Sequence, residues 1–248
     1  MTKPVFLVAG ASSGMGRQAA LKLGQGEGHV VLAARRLEPL EEAAEAIRSA
    51  GGSASAISFD GSDAASCQAL IDQIEAEHGR LDGAFNNLGD TLGDGPLHEV
   101  PLERWQNTLS VNLSAPFHLM RAEIPLMLKQ GDGRIVNNSS TGGVRGTKGM
   151  SDYSAAKWGV IGLTKSAALD YAGQGLVINV IAPGIIATEK FREFEKRLPE
   201  VFEGLRQATP AGRFGEMSEI AELVDYLLRD APAYLNGAVL PIDGGRTA

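Results

Sequence analysis

Short apolar runs alternate with stretches of helical periodicity along the whole chain. Val5 to Ala9 is apolar throughout, the glycine-rich stretch Gly10-Ala11-Ser12-Ser13-Gly14-Met15-Gly16 follows, and Arg17 to Leu23 is helix-forming. His29 to Ala34 repeats the apolar run, Leu37 to Ala50 reads as an amphipathic helix ended by Gly51-Gly52, and Ser53 to Phe59 leads into Asp60-Gly61. A helix from Ala64 to His78 and a fourth strand from Asp82 to Asn86, closed by Asn87-Leu88-Gly89, complete the first half. Four strands alternating with helices of this length predict a parallel, doubly wound α/β sheet flanked by helices, the Rossmann-like plan.

The second half continues the alternation. After a polar Gly/Pro-rich loop from Asp90 to Pro101 comes a long helical segment, Leu102 to Lys129, expected to kink or loosen at Asn112 because Pro116 has no N–H for its carbonyl. A fifth strand, Arg134 to Ser139, and a helix from Ser151 to Ala172 follow. A sixth strand, Leu176 to Ile181, ends at Pro183-Gly184, and a seventh, Gly237 to Ile242, follows the helix Glu216 to Arg229. Between them, Thr188 to Gln207 is helical and charged, with Phe191, Phe194, Leu198, Val201 and Leu205 at helical spacing. That insertion, extending to about residue 214, is expected to cover the strand ends as a lid. With no repeat or linker, one domain over residues 1–248 is predicted.

Composition narrows the function classes. The 248 residues are 44% hydrophobic and 21% charged, ordinary for a globular protein. A formal net charge of −7 argues against a general nucleic-acid binder. No apolar run approaches the roughly 20 residues of a membrane helix, and the first strand begins too early to leave room for a signal peptide. One cysteine, Cys67, excludes an intrachain disulfide, and His29, His78, His98 and His118 lack ligand spacing, so the expectation is a cytoplasmic protein without a metal site.

The chemistry concentrates at strand ends. In a doubly wound sheet, ligands lie beyond the strand C-termini where strand order reverses. Gly10 to Gly16, Arg35, Asp60 and Asn87 all fall at such ends. A glycine-rich turn between strand and helix lets backbone N–H groups approach a phosphate at the helix N-terminus. Tyr153 and Lys157 are four residues apart on one helix and share a face. A free tyrosine keeps its proton until about pH 10, and a nearby ammonium is expected to draw the phenol toward the working range. Ser140, at the end of the fifth strand, can offer its hydroxyl to the same reacting oxygen.

These residues together resemble the short-chain dehydrogenase/reductase family from end to end. Ala9 to Gly16 is similar to the family's cofactor turn, and Asn86 to Gly89 to its Asn-Asn-Ala-Gly motif. The family's catalytic tetrad falls on Asn112, Ser140, Tyr153 and Lys157, with Ser140 and Tyr153 thirteen apart as the family has them. Pro183, Gly184, Ile186 and Thr188 resemble the segment that holds the nicotinamide carboxamide. The ending Asp243-Gly244-Gly245 also fits. Two positions depart from the pattern: Ala9 replaces the usual Thr, and Leu88 replaces the usual Ala. Neither removes a group needed for chemistry.

The resemblance implies an oxidoreductase that passes a hydride between nicotinamide and a ketone or secondary alcohol. In it Tyr153 handles the hydroxyl proton, Lys157 also holds the cofactor ribose and Ser140 polarises the carbonyl. Cofactor contacts are expected from Gly10, Ser12, Ser13, Gly14, Met15, Gly16, Asp60, Gly61, Asn87 and Gly89, besides Tyr153, Lys157 and the Pro183–Thr188 segment. NAD enzymes of this architecture carry an acid at the end of the second strand. Here Ala34 stands there and Arg35-Arg36 follow, which predicts NADP(H), since guanidinium groups suit a 2′-phosphate. The substrate pocket is expected to be walled by Leu92, Thr141, Gly142, Arg145, Ile185, Phe191 and Phe194. Such walls suit a cyclic or medium-chain ketone; Arg145 and Lys148 are solvated loop cations or partners for an anionic group. A homotetramer or homodimer is implied by the family alone. The competing reading is a dinucleotide-binding regulator or scaffold without turnover.

Overall fold

In the computed structural model, residues 3–91, 93 and 95–248 are described. Leu92, expected in the substrate wall, lies outside the described residues. Seven parallel strands form one sheet in the order β3-β2-β1-β4-β5-β6-β7. They are β1 (Val5–Ala9), β2 (His29–Ala34), β3 (Ala54–Ser58), β4 (Gly83–Asn86), β5 (Gly133–Asn138), β6 (Leu176–Pro183) and β7 (Val239–Ile242). The chain builds outward from β1 through β2 to β3, then returns to place β4 on the other side of β1. The reversal point therefore lies between β1 and β4, where a doubly wound sheet opens a crevice at its strand ends.

Alternation along β1 shows how the two faces are filled. Val5, Leu7 and Ala9 pack with α3 (Ala64–His78), α5 (Ala115–Gln130) and α6 (Ser151–Tyr171) on one face. Phe6 and Val8 pack with α1 (Gly14–Leu23), α2 (Leu37–Ser49) and α9 (Met217–Arg229) on the other. Successive strand side chains point to opposite faces, and both faces are covered, so every residue of β1 must be apolar.

The segment Leu102 to Lys129 is interrupted at Asn112, where Pro116 predicts a kink. It is α4 (Leu102–Leu109) and α5, joined by a widened turn at Ser110–Ser114 in which Ala115 N–H donates to Ser110 O, five residues back. Pro116 has no N–H for the Asn112 carbonyl, four residues before it, which removes one reason for a regular helix there. Proline alone does not decide the matter, because Pro125 sits inside α5 without breaking it. At the wide turn a side chain also intervenes: Asn112 Nδ2 donates to Thr108 O at 3.1 Å.

The charged stretch after β6 is likewise two helices, α7 (Glu189–Arg197) and α8 (Pro199–Gln207), divided at Leu198 with Pro199 opening the second. A proline is favoured at a first helical position, where its missing N–H costs nothing. No helix among the described residues is long and apolar enough to cross a membrane.

Candidate active site

The turn after β1 is shaped for close approach. Gly10 and Gly14 adopt positive φ of 82° and 57°, which favours glycine. A Cβ at Gly16 would stand 2.2 Å from Gly10 O, so the helix packs directly on the turn. Among the described residues a Cβ at Gly14 would meet only Thr188 Cγ2, at 3.6 Å, leaving that side open toward the segment after β6. Ser13, at the N-terminus of α1, makes no side-chain cap and the first turn carries no acid, so the N–H groups there stay available to an anion. The residues present thus fit a dinucleotide pyrophosphate. Ser12, Ser13 and Met15 lie on this turn.

Neighbouring strand ends complete the crevice. Asn87 N–H donates to Ala9 O at 3.1 Å, its Nδ2 reaches Gly10 O at 3.4 Å, and its Oδ1 accepts from Asn138 Nδ2 at 2.7 Å. Arg35 and Arg36, at the end of β2, are exposed, and neither forms a carboxylate ion pair within 4.0 Å among the described residues. Asp60, at the end of β3, feels the Arg35 charge, but its carboxyl is held below its ordinary range chiefly by bonds from the Ser62 hydroxyl and N–H. Gly61 beside it is covered by Leu88, whose Cδ1 would stand 2.4 Å from a Cβ there. Pro183 ends β6, Gly184 N–H donates to Ile242 O at 3.0 Å, and Ile186 is buried in the core. Thr188 caps α7 by accepting from Phe191 N–H at 3.3 Å.

The four tetrad positions fall into two pairs, Asn112 with Lys157 around one glycine and Ser140 with Tyr153 through one hydroxyl. A Cβ on Gly89 would lie 2.7 Å from Asn112 Oδ1 and 3.0 Å from Lys157 Nζ, so both groups close on that glycine. Lys157 is 2% exposed, and its ammonium donates to Asn138 O at 2.9 Å and Leu88 O at 3.5 Å. Asn112 Nδ2 donates to Thr108 O and to Asp90 O at 2.9 Å, while its buried Oδ1 has no hydrogen-bond partner among the described residues. Ser140 starts a short turn over Thr141–Gly143, its Oγ accepting Gly142 N–H at 3.1 Å, and it hydrogen-bonds the Tyr153 phenol. Lys157 Nζ lies 5.7 Å from the Tyr153 ring centre.

The electrostatics differ from the expectation that Lys157 draws the phenol down. Burial raises the Tyr153 pKa above its ordinary value, the Ser140 bond pulls the other way, and the Asp90 charge raises it further. Burial also lowers the Lys157 ammonium to about 8. A cation that is itself desolvated, and that points past the ring to backbone carbonyls, does not offset the cost of a buried phenolate.

The expected substrate wall is divided. Gly142 stands against the Tyr153 ring, a Cβ there lying 3.4 Å from Cε1, while Thr141 is buried beside it and Arg145 is exposed just beyond. Phe191 instead stacks on Phe202 and Phe214, with ring centres 4.6 and 4.8 Å apart, in a small aromatic core that Ile185 joins. Phe194 is 45% exposed. Sequence reasoning missed Asn138, Asp90, Thr108 and Asp152, which hold the cluster from behind. The polar run Asn137-Asn138-Ser139-Ser140 ending a buried strand was a readable signal for the first of these.

With this geometry in place, comparison places the chain in a class. The family described as enoyl-(acyl carrier protein) reductase matches residues 10–247. The chain is 36% identical to a levodione reductase of Leifsonia aquatica, over 100% of this chain and 95% of that protein. A levodione reductase crystal structure superposes with a TM-score of 0.93 at 35% identity, covering 98% of this chain and 97% of that one. A cyclohexanol dehydrogenase of Acinetobacter sp. (strain SE19) is 37% identical over 98% of this chain and 95% of its own length. An actinorhodin polyketide ketoreductase solved with NADPH gives a TM-score of 0.92 at 32% identity, covering 98% and 97% of the two chains. The chain belongs to the short-chain dehydrogenase/reductase family of oxidoreductases.

Proposed function

We propose that this protein is an NADP(H)-dependent oxidoreductase acting on a ketone or secondary alcohol, with Tyr153 as the acid-base group. The observation that carries the reading is the meeting of Asn112, Ser140, Tyr153 and Lys157 at the strand ends beside the open turn of α1. When bound, the nicotinamide gives or takes the hydride. Gly10 to Gly16 would hold the pyrophosphate, and the Lys157 ammonium, with two of its three protons on carbonyls, keeps a donor for a ribose hydroxyl. Ser140 Oγ orients the substrate oxygen next to the phenol. Because burial keeps Tyr153 protonated at neutral pH, the phenol stands ready to donate its proton at Oη to a carbonyl oxygen. Carbonyl reduction is therefore favoured toward neutral pH, and alcohol oxidation gains as pH rises.

Coenzyme choice rests on Ala34, Arg35 and Arg36. No carboxylate stands at the end of β2, and two exposed guanidinium groups follow it. A charge-assisted bond to a 2′-phosphate is worth roughly 1.5–3 kcal/mol, or about 10- to 100-fold in affinity. The segment from Thr188 to about residue 214 serves as the lid. Its α7 is linked to the loop after Gly89 by Lys190 Nζ and Asp90 Oδ1, 3.4 Å apart.

The test is a panel of cyclic and open-chain ketones and secondary alcohols with both coenzymes, on wild type and two variants. Tyr153→Phe is expected to lower kcat by about 100-fold or more with coenzyme affinity nearly unchanged. Retention of a tenth of wild-type kcat rejects the acid-base role. Arg35→Ala is expected to cost NADPH about tenfold in kcat/KM and NADH little. Equal or better kcat/KM with NADH in wild type rejects the coenzyme assignment. Coenzyme binding without turnover of any panel member supports the regulator reading instead.

A further inference from the structure

Asp152 precedes Tyr153 in the first turn of α6 and is 2% exposed. Its Oδ2 accepts from Arg104 Nε at 3.0 Å and from Thr108 Oγ1 at 3.1 Å, both on α4. Thr108 is buried, and its carbonyl accepts Asn112 Nδ2 at 3.1 Å. One residue therefore joins the carboxylate beside Tyr153 to the amide of Asn112. The amide has two protons, and the second goes to Asp90 O, so both are committed and Oδ1 is left toward Gly89 and Lys157.

Asn112 needs this anchoring because it lies in the widened turn Ser110–Ser114, where the regular ladder of helix bonds is interrupted. A buried carboxylate is a costly way to hold two helices together, and apolar packing generally does so with less desolvation. What charged and hydroxyl groups add is direction: Thr108 Oγ1 must face α6 to reach Asp152, which sets the rotation of α4 just before Asn112. We propose that Asp152 is a positioning residue for the carbonyl chemistry assigned above, acting through Thr108 to set where Asn112 stands against Lys157 and Tyr153. This rests on the proposed oxidoreductase reading. The alternative is a brace that stabilises the α4–α6 contact and does nothing specific to Asn112.

Four variants separate the two: Asp152→Ala, Thr108→Val, Thr108→Ser and Asn112→Ala, with the Asp152→Ala/Asn112→Ala double. Each is measured for kcat, KM, coenzyme Kd and Tm on a ketone that wild type reduces. Asp152→Ala and Thr108→Val are expected to lower kcat about tenfold while KM and coenzyme Kd move less than about twofold, since groups acting as a unit lose rate without losing binding. Thr108→Ser, which keeps the hydroxyl, recovers most of the loss. In the Asn112→Ala background Asp152→Ala is expected to cost nothing further, because residues acting through one another are not additive. Multiplied losses in the double variant, or wild-type kcat in Thr108→Val, overturn the proposal. If Asp152→Ala does not fold, the Thr108→Val and Thr108→Ser pair decides it.

A readout independent of turnover accompanies these rates. The Asn112 side-chain amide resonance, assigned by its loss in Asn112→Ala, is expected to shift in Thr108→Val and to hold in Thr108→Ser. An unmoved resonance in Thr108→Val rejects the link whether or not a substrate is found. Absence of turnover in wild type, with the shift present, faults the oxidoreductase reading and leaves the positioning of Asn112 supported.

Discussion

Lys157 and Glu123 are both buried, on helices of the same layer, and their surroundings treat their charges differently. Lys157 reaches the strand ends and gives its protons to the carbonyls of Asn138 and Leu88. Glu123 lies midway along α5, where Asn86 Nδ2 donates to one oxygen at 3.1 Å and the other has no partner among the described residues. Asn86 also donates to Asn137 Oδ1, and Asn137 to Thr164 Oγ1 at 2.9 Å, so a short polar ladder crosses β4 and β5 behind the crevice. Burial lowers the lysine to about 8 and raises the glutamate to about 7. The lysine is a cation caged by acceptors at an opening, whereas the glutamate is an acid whose neutral form suits its site. Desolvation acts on both; position relative to the strand ends decides which can serve chemistry.

The largest expected effect breaks the first half of this comparison. Lys157→Met is expected to lower turnover by about 100-fold or more and to weaken coenzyme binding, yet not to reduce stability, because it replaces a buried ammonium by an apolar chain of similar length. Activity assays, coenzyme titration and urea unfolding check the three parts. A marked loss of stability would show that the carbonyl cage is structural.

Next comes the pH dependence, with opposite signs at the two sites. A carboxyl raised from 4.5 to about 7 binds its proton more tightly when folded, so its contribution to stability is present below pH 4.5 and lost as pH rises to about 7. The loss is about 3 kcal/mol. Glu123→Gln is therefore expected to stabilise the apo protein by up to about 3 kcal/mol at pH 7.5 and to change little at pH 4.5. An ammonium lowered from 10.5 to about 8 works the other way, its cost standing below pH 8 and disappearing as pH rises to 10.5. The smallest effect sharpens the contrast: at pH 5, where most of the Glu123 penalty has yet to develop, Lys157→Met gains stability while Glu123→Gln gains no more than about 1 kcal/mol. Urea unfolding of the two variants at pH 5 and 7.5 reads the difference. Equal gains at both pH values would reject the assignment of the acid penalty to Glu123.

The grouping of the candidate site residues was largely legible because it depends on local geometry. Tyr153 and Lys157 share a face at any helical four-residue spacing, and Gly10 to Gly16 marks a turn wherever strand meets helix. The failures come where a side chain's surroundings are supplied by distant segments. Periodicity identified Phe191 as apolar-facing, but Phe202 and Phe214, which receive it, come from elements whose packing no pattern states. The loosening at Asn112 was legible in Pro116, which has no N–H for the Asn112 carbonyl; that Asn112 Nδ2 would also reach the carbonyl of Asp90, in the loop after β4, was not. The direction of the Tyr153 shift was misjudged because a spacing of four says where an ammonium can be, while burial says what a phenolate would cost.

By itself, then, the order of residues determined the alternating elements, the parallel sheet and the gathering of the candidate polar residues at strand ends. These follow from side-chain periodicity and backbone sterics, which act over a few residues. Only the tertiary structure decided the protonation of Tyr153, Lys157 and Glu123, the anchoring of Asn112 through Thr108 to Asp152, and the inward turn of Phe191. Each of those depends on which atoms exclude water from a group and which polar atoms replace it. In this protein those atoms come from segments tens of residues apart, as Asp152 and Thr108 do across 44 positions.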